Sequence, residues 1–587
     1  MKQFFKFMFA SMLGTFLTLI LMLLICIGII AGIIAATSDE EVMISKNTIL
    51  HLKFDKNIVD RSSKMPFDLS FMGTQKSIGL NDILDNIRKA KTDDNIAGIY
   101  LDLSGIPAGI STISEIREGL VDFKKSGKFI WAYSEAYGQG AYYLATAADK
   151  IFLHPNGMLL FKGISAEPVF IKGTLEKLDI KVQVIRHGKF KAATEPLFLD
   201  KMSPENRKQI IAIITDIWDK IVIGISESRN IGLQELNRIA DSILIETPED
   251  ALKYKFVDQI AYKDELIKEL KKKLAIGEKK KINYVTLENY TNVAEKTKSG
   301  TKKDKIAVIY ASGTIGGGEG DEQSIGSERI SKAIRKARED EKVKAIVFRI
   351  NSGGGSSLAS DVIWREIDLA RQVKPVVASF GDVAASGGYY IGCAATKVLA
   401  DPTTITGSIG VFGVIPNFQG LFNNKLGITF DEVKTNANAD LISVNKPLPA
   451  YQAMLLQREV DHTYEVFIGK VADGRKLSKA QVDSIGQGRI WSGTAAKKIG
   501  LIDEFGGLTK AIELAAELAK IKDYRILSLP EQKDALQQII DELTGNNPSS
   551  AIREALGEDY RYFQYIREIR EMKGMQARMM IDLGIIL

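Results

Sequence analysis

Val383-AASGGY-Tyr390 and Ala136-YGQGAY-Tyr143 are two versions of one stretch, and reading them together decides the fold. Both run on to a lysine and a proline, Lys397 and Pro402 in the later version and Lys150 and Pro155 in the earlier. The offset is constant: 389 − 142 = 247 and 402 − 155 = 247. Gly140/Gly387, Tyr142/Tyr389, Tyr143/Tyr390, Ala147/Ala394, Lys150/Lys397, Pro155/Pro402 and Gly163/Gly410 are identical pairs without a gap. The apolar runs Ile96-AGIYLDL and Val343-KAIVFRI share the offset. A repeat this long means two copies of one domain. The copies differ at one chemically telling position, where Ser386 in the second stands opposite Gln139 in the first.

Outward from this stretch, short apolar runs alternate with amphipathic ones. Ile306-AVIYA, Ala345-IVFRI, Pro375-VVASF and Lys397-VLA read as buried parallel strands. Ser357 to Gln372 shows helical spacing through Leu358, Val362, Ile363, Ile367 and Leu369. Such alternation predicts an α/β domain with a parallel sheet, whose active-site loops lie at the strand C-termini. Two loops are expected there, Asn351-SGGGS-Ser357 and Gly381-DVAA-Ser386.

Composition narrows the class. The 587 residues are 45% hydrophobic and 26% charged, with net charge +5, so nucleic acid is not an expected partner. Phe7 to Ala36 is almost wholly apolar and outlasts the roughly 30 Å hydrocarbon core of a bilayer. It predicts one N-terminal transmembrane helix rather than a signal peptide with its shorter apolar stretch. Lys2 and Lys6 precede it, and no Lys or Arg follows until Lys46. The positive-inside rule then places the N-terminus in the cytoplasm and the rest outside. Cys26 and Cys393 are too differently placed to pair, and the four histidines form no metal spacing, so no cofactor or metal is expected. The expected division is 1–45 stub and anchor, 46–292 first repeat, 293–305 linker, 306–525 second repeat and 526–587 helical tail.

The chemistry centres on Ser386, between a strand end and the start of a predicted helix. A helix N-terminus offers free N–H groups and partial positive charge to a developing oxyanion. The Gly387 N–H is one natural donor, and Gly353-Gly354-Gly355 lets a second stretch of backbone approach. A serine nucleophile needs a base. His462 lies in a predicted helix as a solvated residue, which leaves His187 and Lys191 in Ile185-RHGKFKAATEPLF. A buried lysine can lose its proton near neutrality, and Ser–Lys pairs are a known variant of the serine triad. The residues alone leave both candidates open.

Gly381-DVAASGGYYIG, Thr404-ITGSIGVFG and Phe190-KAATEPLF, in that arrangement, resemble signal peptide peptidase A in its long, two-domain bacterial form. The resemblance covers nearly the whole chain, anchor and duplication included. It implies two tandem domains like Clp protease and the crotonases, in a membrane-anchored serine protease. By this similarity Ser386 matches the nucleophile, Lys191 the general base, Ser408 the serine that hydrogen-bonds the lysine ammonium, and Gly354 and Gly387 the oxyanion donors. It also implies a homotetramer in the bacterial inner membrane, with periplasmic catalytic domains that degrade signal peptides left after secretion. One departure is Gly353, where the family usually has proline; its loss frees a torsion but keeps both glycine N–H groups. Past Gly410 a gap of about one residue puts Asn438 or Ala439 opposite Lys191, and neither can be a base. One site per chain is therefore expected, with Lys from the first repeat and Ser from the second. Rival readings are a crotonase-like acyl-CoA enzyme and an inactive membrane scaffold.

Overall fold

A computed structural model describes residues 2–37, 43–62, 77–294, 303–532, 575–579, 583 and 585–586. Lys2–Thr37 is one helix of 36 residues. Its portion Lys2–Ile25 is long and apolar enough to cross a membrane, and large side chains such as Phe7 and Leu13 stand exposed along it.

Two α/β units follow. The first sheet runs Tyr284–Thr286, Thr48–Lys53, Ile96–Asp102, Phe129–Tyr137, Lys150–Leu159, Gln259–Ile260, every pair parallel. The second runs Arg525–Leu529, Lys305–Ser312, Val343–Ser352, Val376–Ala385, with Lys397–Ala400 and then Glu504–Phe505 beyond, again in parallel. The order is the same strand for strand. The intervening helices also match in length: Leu80–Thr92 and Ser327–Glu339 have 13 residues, and Ile110–Lys124 and Ser357–Arg371 have 15. Pro204–Arg229 and Ala450–Arg475 have 26 each. The chain is thus a tandem duplication at the level of elements. Ile306, Ala307, Val308 and Ile309 are all fully buried, as a strand covered on both faces requires.

A third sheet joins the units. It runs Ser324–Gly326, Thr314–Gly316, Gly354–Ser356, Gln576–Arg578, Phe412–Asn417, Lys181–Arg186. Phe412–Asn417 of the second unit pairs antiparallel with Lys181–Arg186 of the first, Phe412 opposite Arg186. That pairing delivers residues just past Arg186 to the second unit.

A buried ion cluster also links the two units. Arg349, fully buried in the strand Val343–Ser352, lies 2.7 Å from Asp60 and 2.7 Å from Glu115, both of the first unit. Burial opposes the Arg349 charge, and the two carboxylates outweigh it and hold its pKa above the ordinary arginine value. Glu115 also accepts the Leu508 N–H at 2.7 Å.

The structure departs from three expectations. Gly381 to Ala385 is strand rather than loop: the ladder shifts between Ile350 and Ser352, and Val383–Ala385 takes Ile405–Gly407 as a new partner, so the chain stays extended. Leu358 and Val362 are exposed, and the buried face of their helix is made by Ala359, Ile363, Trp364 and Ile367. The tail expected to be helical lies mostly outside the described residues. Its described parts in Arg525–Leu529, Gln576–Arg578 and Ile585–Ile586 are strand, and Arg525–Leu529 is an edge of the second sheet.

Candidate active site

Val376–Ala385 ends at Ser386, which caps the helix Gly387–Gly392. Ser386 holds φ 56° and ψ −115°, a strained backbone for a residue with a Cβ. Its N–H donates to the Gly407 carbonyl at 2.7 Å, and its carbonyl accepts the Tyr390 N–H at 2.8 Å. These two bonds and the sheet behind them fix the strained turn. The next residue must be glycine, since a Cβ at Gly387 would stand 2.7 Å from the Ser360 hydroxyl.

Lys191 arrives from the first unit, five residues after the strand that pairs across the units. The Phe190 N–H donates to the Gln487 carbonyl at 3.0 Å, and Gly488, at φ +81°, packs flush on the Lys191 backbone. The Glu195 carboxylate fastens the far end of this segment by accepting from the Ser203 hydroxyl at 2.5 Å and the Asn206 amide at 2.9 Å.

The side chains then converge. Lys191 Nζ lies 2.8 Å from Ser386 Oγ, 3.0 Å from Ser408 Oγ and 3.0 Å from the Ser408 carbonyl. Ser386 is fully buried and Lys191 is 1% exposed. Burial drives the Lys191 pKa well below the ordinary lysine value. An amine with its pKa so lowered can accept a proton from a neighbouring hydroxyl.

His187, the other candidate base, is engaged elsewhere. Its Nδ1 is 2.8 Å from Asp461, and its ring stacks on Tyr464 with centroids 3.9 Å apart. His462 is exposed on the helix Ala450–Arg475. Asn438 lies in the exposed stretch before that helix, where its side-chain oxygen faces Gln452 at 3.4 Å.

Gly354 and Gly387 lie side by side, because a Cβ at Gly354 would stand 2.7 Å from the Gly387 nitrogen. Gly387 opens its helix, so its N–H lacks an intrahelical acceptor. The Gly354 N–H instead donates to the Ser352 hydroxyl at 3.1 Å. In the first unit Gln139 takes the place of Ser386. Its amide donates to the Gly163 carbonyl at 2.9 Å and its oxygen accepts N–H bonds from Lys162 and Gly163. The repeat position is filled by a satisfied amide with no basic partner in those bonds.

Four supporting residues escaped the sequence reading: Ser352, Asp382, Gln209 and Gly488. Asp382 accepts from the Thr112 N–H at 3.0 Å and hydroxyl at 2.6 Å, tying the strand that ends at Ser386 to the first unit. Burial raises the Asp382 pKa, with the Thr112 bonds working against it. Gln209 accepts the Ile490 N–H at 3.1 Å and so braces the lysine side of the cleft. The glycine pair in Gly486-Gln-Gly488 is the turn signal that could have pointed to Gly488. Among the described residues, no group of three or more His, Cys, Asp or Glu is placed to hold a metal ion.

The model of peptidase family S49 matches residues 122–277 and 368–522, once in each unit. "Protease 4" of Salmonella typhi is 39% identical over 476 residues, covering 80% of this chain and 76% of its own. "Serine protease SPPA, chloroplastic" of Arabidopsis thaliana is 34% identical over 508 residues, covering 86% and 74%. Among solved structures, ClpP1 from Listeria monocytogenes overlaps 34% of this chain and 91% of its own at 17% identity, with a TM-score of 0.23.

Proposed function

The chain belongs to peptidase family S49, a serine protease family, and from that premise we propose a membrane-anchored endopeptidase working through a Ser386–Lys191 dyad. The observation that carries this reading is the 2.8 Å contact between Lys191 Nζ and Ser386 Oγ in a buried site.

Neutral Lys191 takes the Ser386 proton as Oγ attacks the peptide carbonyl. Ser408 holds the resulting ammonium through its hydroxyl and carbonyl, both at 3.0 Å. The new oxyanion meets the Gly387 N–H, and the Gly354 N–H joins by turning from the Ser352 hydroxyl. Lys191 then returns its proton to the leaving amine. Neutral Lys191 then deprotonates a water that attacks the acyl-enzyme, and it returns that proton to Ser386 Oγ as the acyl–oxygen bond breaks. The missing proline at Gly353 leaves this loop freer to make that turn.

Substrates in this reading are apolar, extended peptides such as spent signal peptides. The helix Lys2–Thr37 anchors the enzyme in the inner membrane with the two units on the periplasmic side, and four copies assemble. The test is covalent labelling by a fluorophosphonate probe. Wild type labels at Ser386, Ser386→Ala does not, and Lys191→Ala labels slowly with peptide hydrolysis lost. A crotonase-like acyl-CoA enzyme or an inactive scaffold would leave Ser386 unlabelled, and that result would refute the dyad.

A further inference from the structure

The turn that packs on Lys191 is itself held under strain. Gln487, beside Gly488, sits at φ 52°, a left-handed backbone for a residue with a Cβ. Its carbonyl accepts the Phe190 N–H at 3.0 Å, one residue before the base. Its own N–H donates to the Tyr464 hydroxyl at 3.1 Å. Tyr464 is 1% exposed, on the helix Ala450–Arg475, and donates in turn to the Asp483 carboxylate at 2.6 Å. Asp483 belongs to the short helix Lys479–Ile485 that leads into the turn. A Cβ at Gly486 would stand 3.0 Å from the Tyr464 hydroxyl, so the phenol meets the turn closely at two residues.

The same side chain reaches the other end of the base-bearing segment. The His187 ring lies on the Tyr464 ring, and its Nδ1 is held by Asp461, three residues earlier on the same helix. Gly188, at φ +94°, passes so close to Gln487 that a Cβ there would stand 2.4 Å from its carbonyl. Tyr464 thus grips the run from His187 to Lys191 twice, at His187 through its ring and at Phe190 through Gln487. The duplication supplies a comparison within the chain. Pro204–Arg229 and Ala450–Arg475 align end to end, with 475 − 229 = 246 and 464 − 218 = 246. Trp218 therefore occupies the Tyr464 position, and its indole N–H donates to Asn237 at 2.7 Å. Asn237 is the counterpart of Asp483, since 483 − 237 = 246. An indole nitrogen only donates, whereas a phenol oxygen donates and accepts at once. The phenol stands in the unit whose turn receives Lys191.

Resting on the dyad reading above, we propose that Tyr464 is a positioning residue for the general base: its hydroxyl locks the strained Gln487 turn, and that turn seats Lys191 against Ser386. Without the hydroxyl, the Gln487 N–H loses its acceptor and nothing offsets the strain at φ 52°. The turn relaxes, the Gln487 carbonyl moves away from Phe190, and the Lys191 amine leaves its place 2.8 Å from Ser386 Oγ.

The test uses the full-length protein in detergent, with rates taken per mole of Ser386 labelled to completion by a fluorophosphonate probe, so that misfolded chains do not count. Tyr464→Phe keeps the ring against His187 and removes only the hydroxyl. It should lower kcat for an apolar peptide by about tenfold to a hundredfold and leave KM within about twofold. An amine that drifts from its buried seat is less desolvated, so the acid limb of the rate–pH profile should also move to higher pH. Adding Gln487→Gly, which accepts a positive φ without strain, should return part of the rate and move the limb back. Trp218→Phe, the matching deletion in the first unit, should change neither kcat nor the limb. Tyr464→Phe with wild-type kcat and an unmoved limb overturns the assignment, as does a loss that Gln487→Gly leaves untouched or that Trp218→Phe reproduces. A Lys191→Met variant that keeps the wild-type rate and acid limb would instead count against Lys191 as the base, whatever Tyr464→Phe does.

Discussion

Lys191 is the residue on which the chemistry and the stability of this protein disagree. Burial lowers its pKa well below that of the unfolded chain. Between the two values the unfolded state holds one more proton, so stability rises with pH across that window and is reduced at neutrality. Activity has the same sign, because only the neutral amine can accept the Ser386 proton: the rate climbs as pH passes the lowered Lys191 pKa and flattens above it. Lys191→Met should remove the acid limb of a kcat/KM–pH profile along with at least about three orders of magnitude of rate. The same variant should melt higher than wild type at pH 7 in a calorimetric scan. A lower melting point would mean that the amine's bonds to Ser408 outweigh its burial. The motifs around Ser386 and Lys191 were legible in the sequence, but the residues alone left His187 and Lys191 both open as the base, and the family resemblance chose between them. The Ser352 bond to Gly354 was not, since it depends on backbone torsions in a three-glycine run.

At the scale of elements, apolar runs announced the central strands within a residue or two at their starts. Gly381–Ala385 was expected to be a loop because active-site loops follow the strand C-termini in such sheets. Here Asp382 is used as an anchor to Thr112, and the strand continues through it to Ser386. The turn Gly486-Gln-Gly488 does comparable work for the lysine. A Cβ at Gly488 would stand 2.6 Å from Lys191 Cα, in a backbone conformation that already favours glycine. Gly488→Ala should therefore shift Lys191 without disturbing either sheet. We expect kcat to fall by about a hundredfold, as for misplacement near 1 Å, with KM little changed and circular dichroism unaltered. Equal losses in kcat and thermal stability would instead mark Gly488 as a general packing position.

For the whole molecule, the joining sheet could not be read from the sequence, because Lys181–Arg186 and Phe412–Asn417 are paired over a separation that no local pattern reports. One trace was present: Arg349 in the midst of Ala345-IVFRI, since a charge in a covered strand demands partners. Arg349→Ala should leave Asp60 and Glu115 buried and unpaired, at a cost of about 3–5 kcal/mol. Chemical denaturation would then show the units separating before they unfold. A single unchanged transition would contradict this. The isolated second unit, about residues 306–529, should fold without hydrolysing peptides, since it lacks Lys191. Adding the first unit should restore hydrolysis, and adding its Lys191→Ala version should not. The 195 residues that separate Lys191 from Ser386 also set a clock. At synthesis rates of about 5–20 residues per second, the base exists for about 10–40 s before there is a nucleophile for it to activate. An unfinished chain that ends before Ser386 therefore holds Lys191 with no serine beside it, and cannot cleave its neighbours.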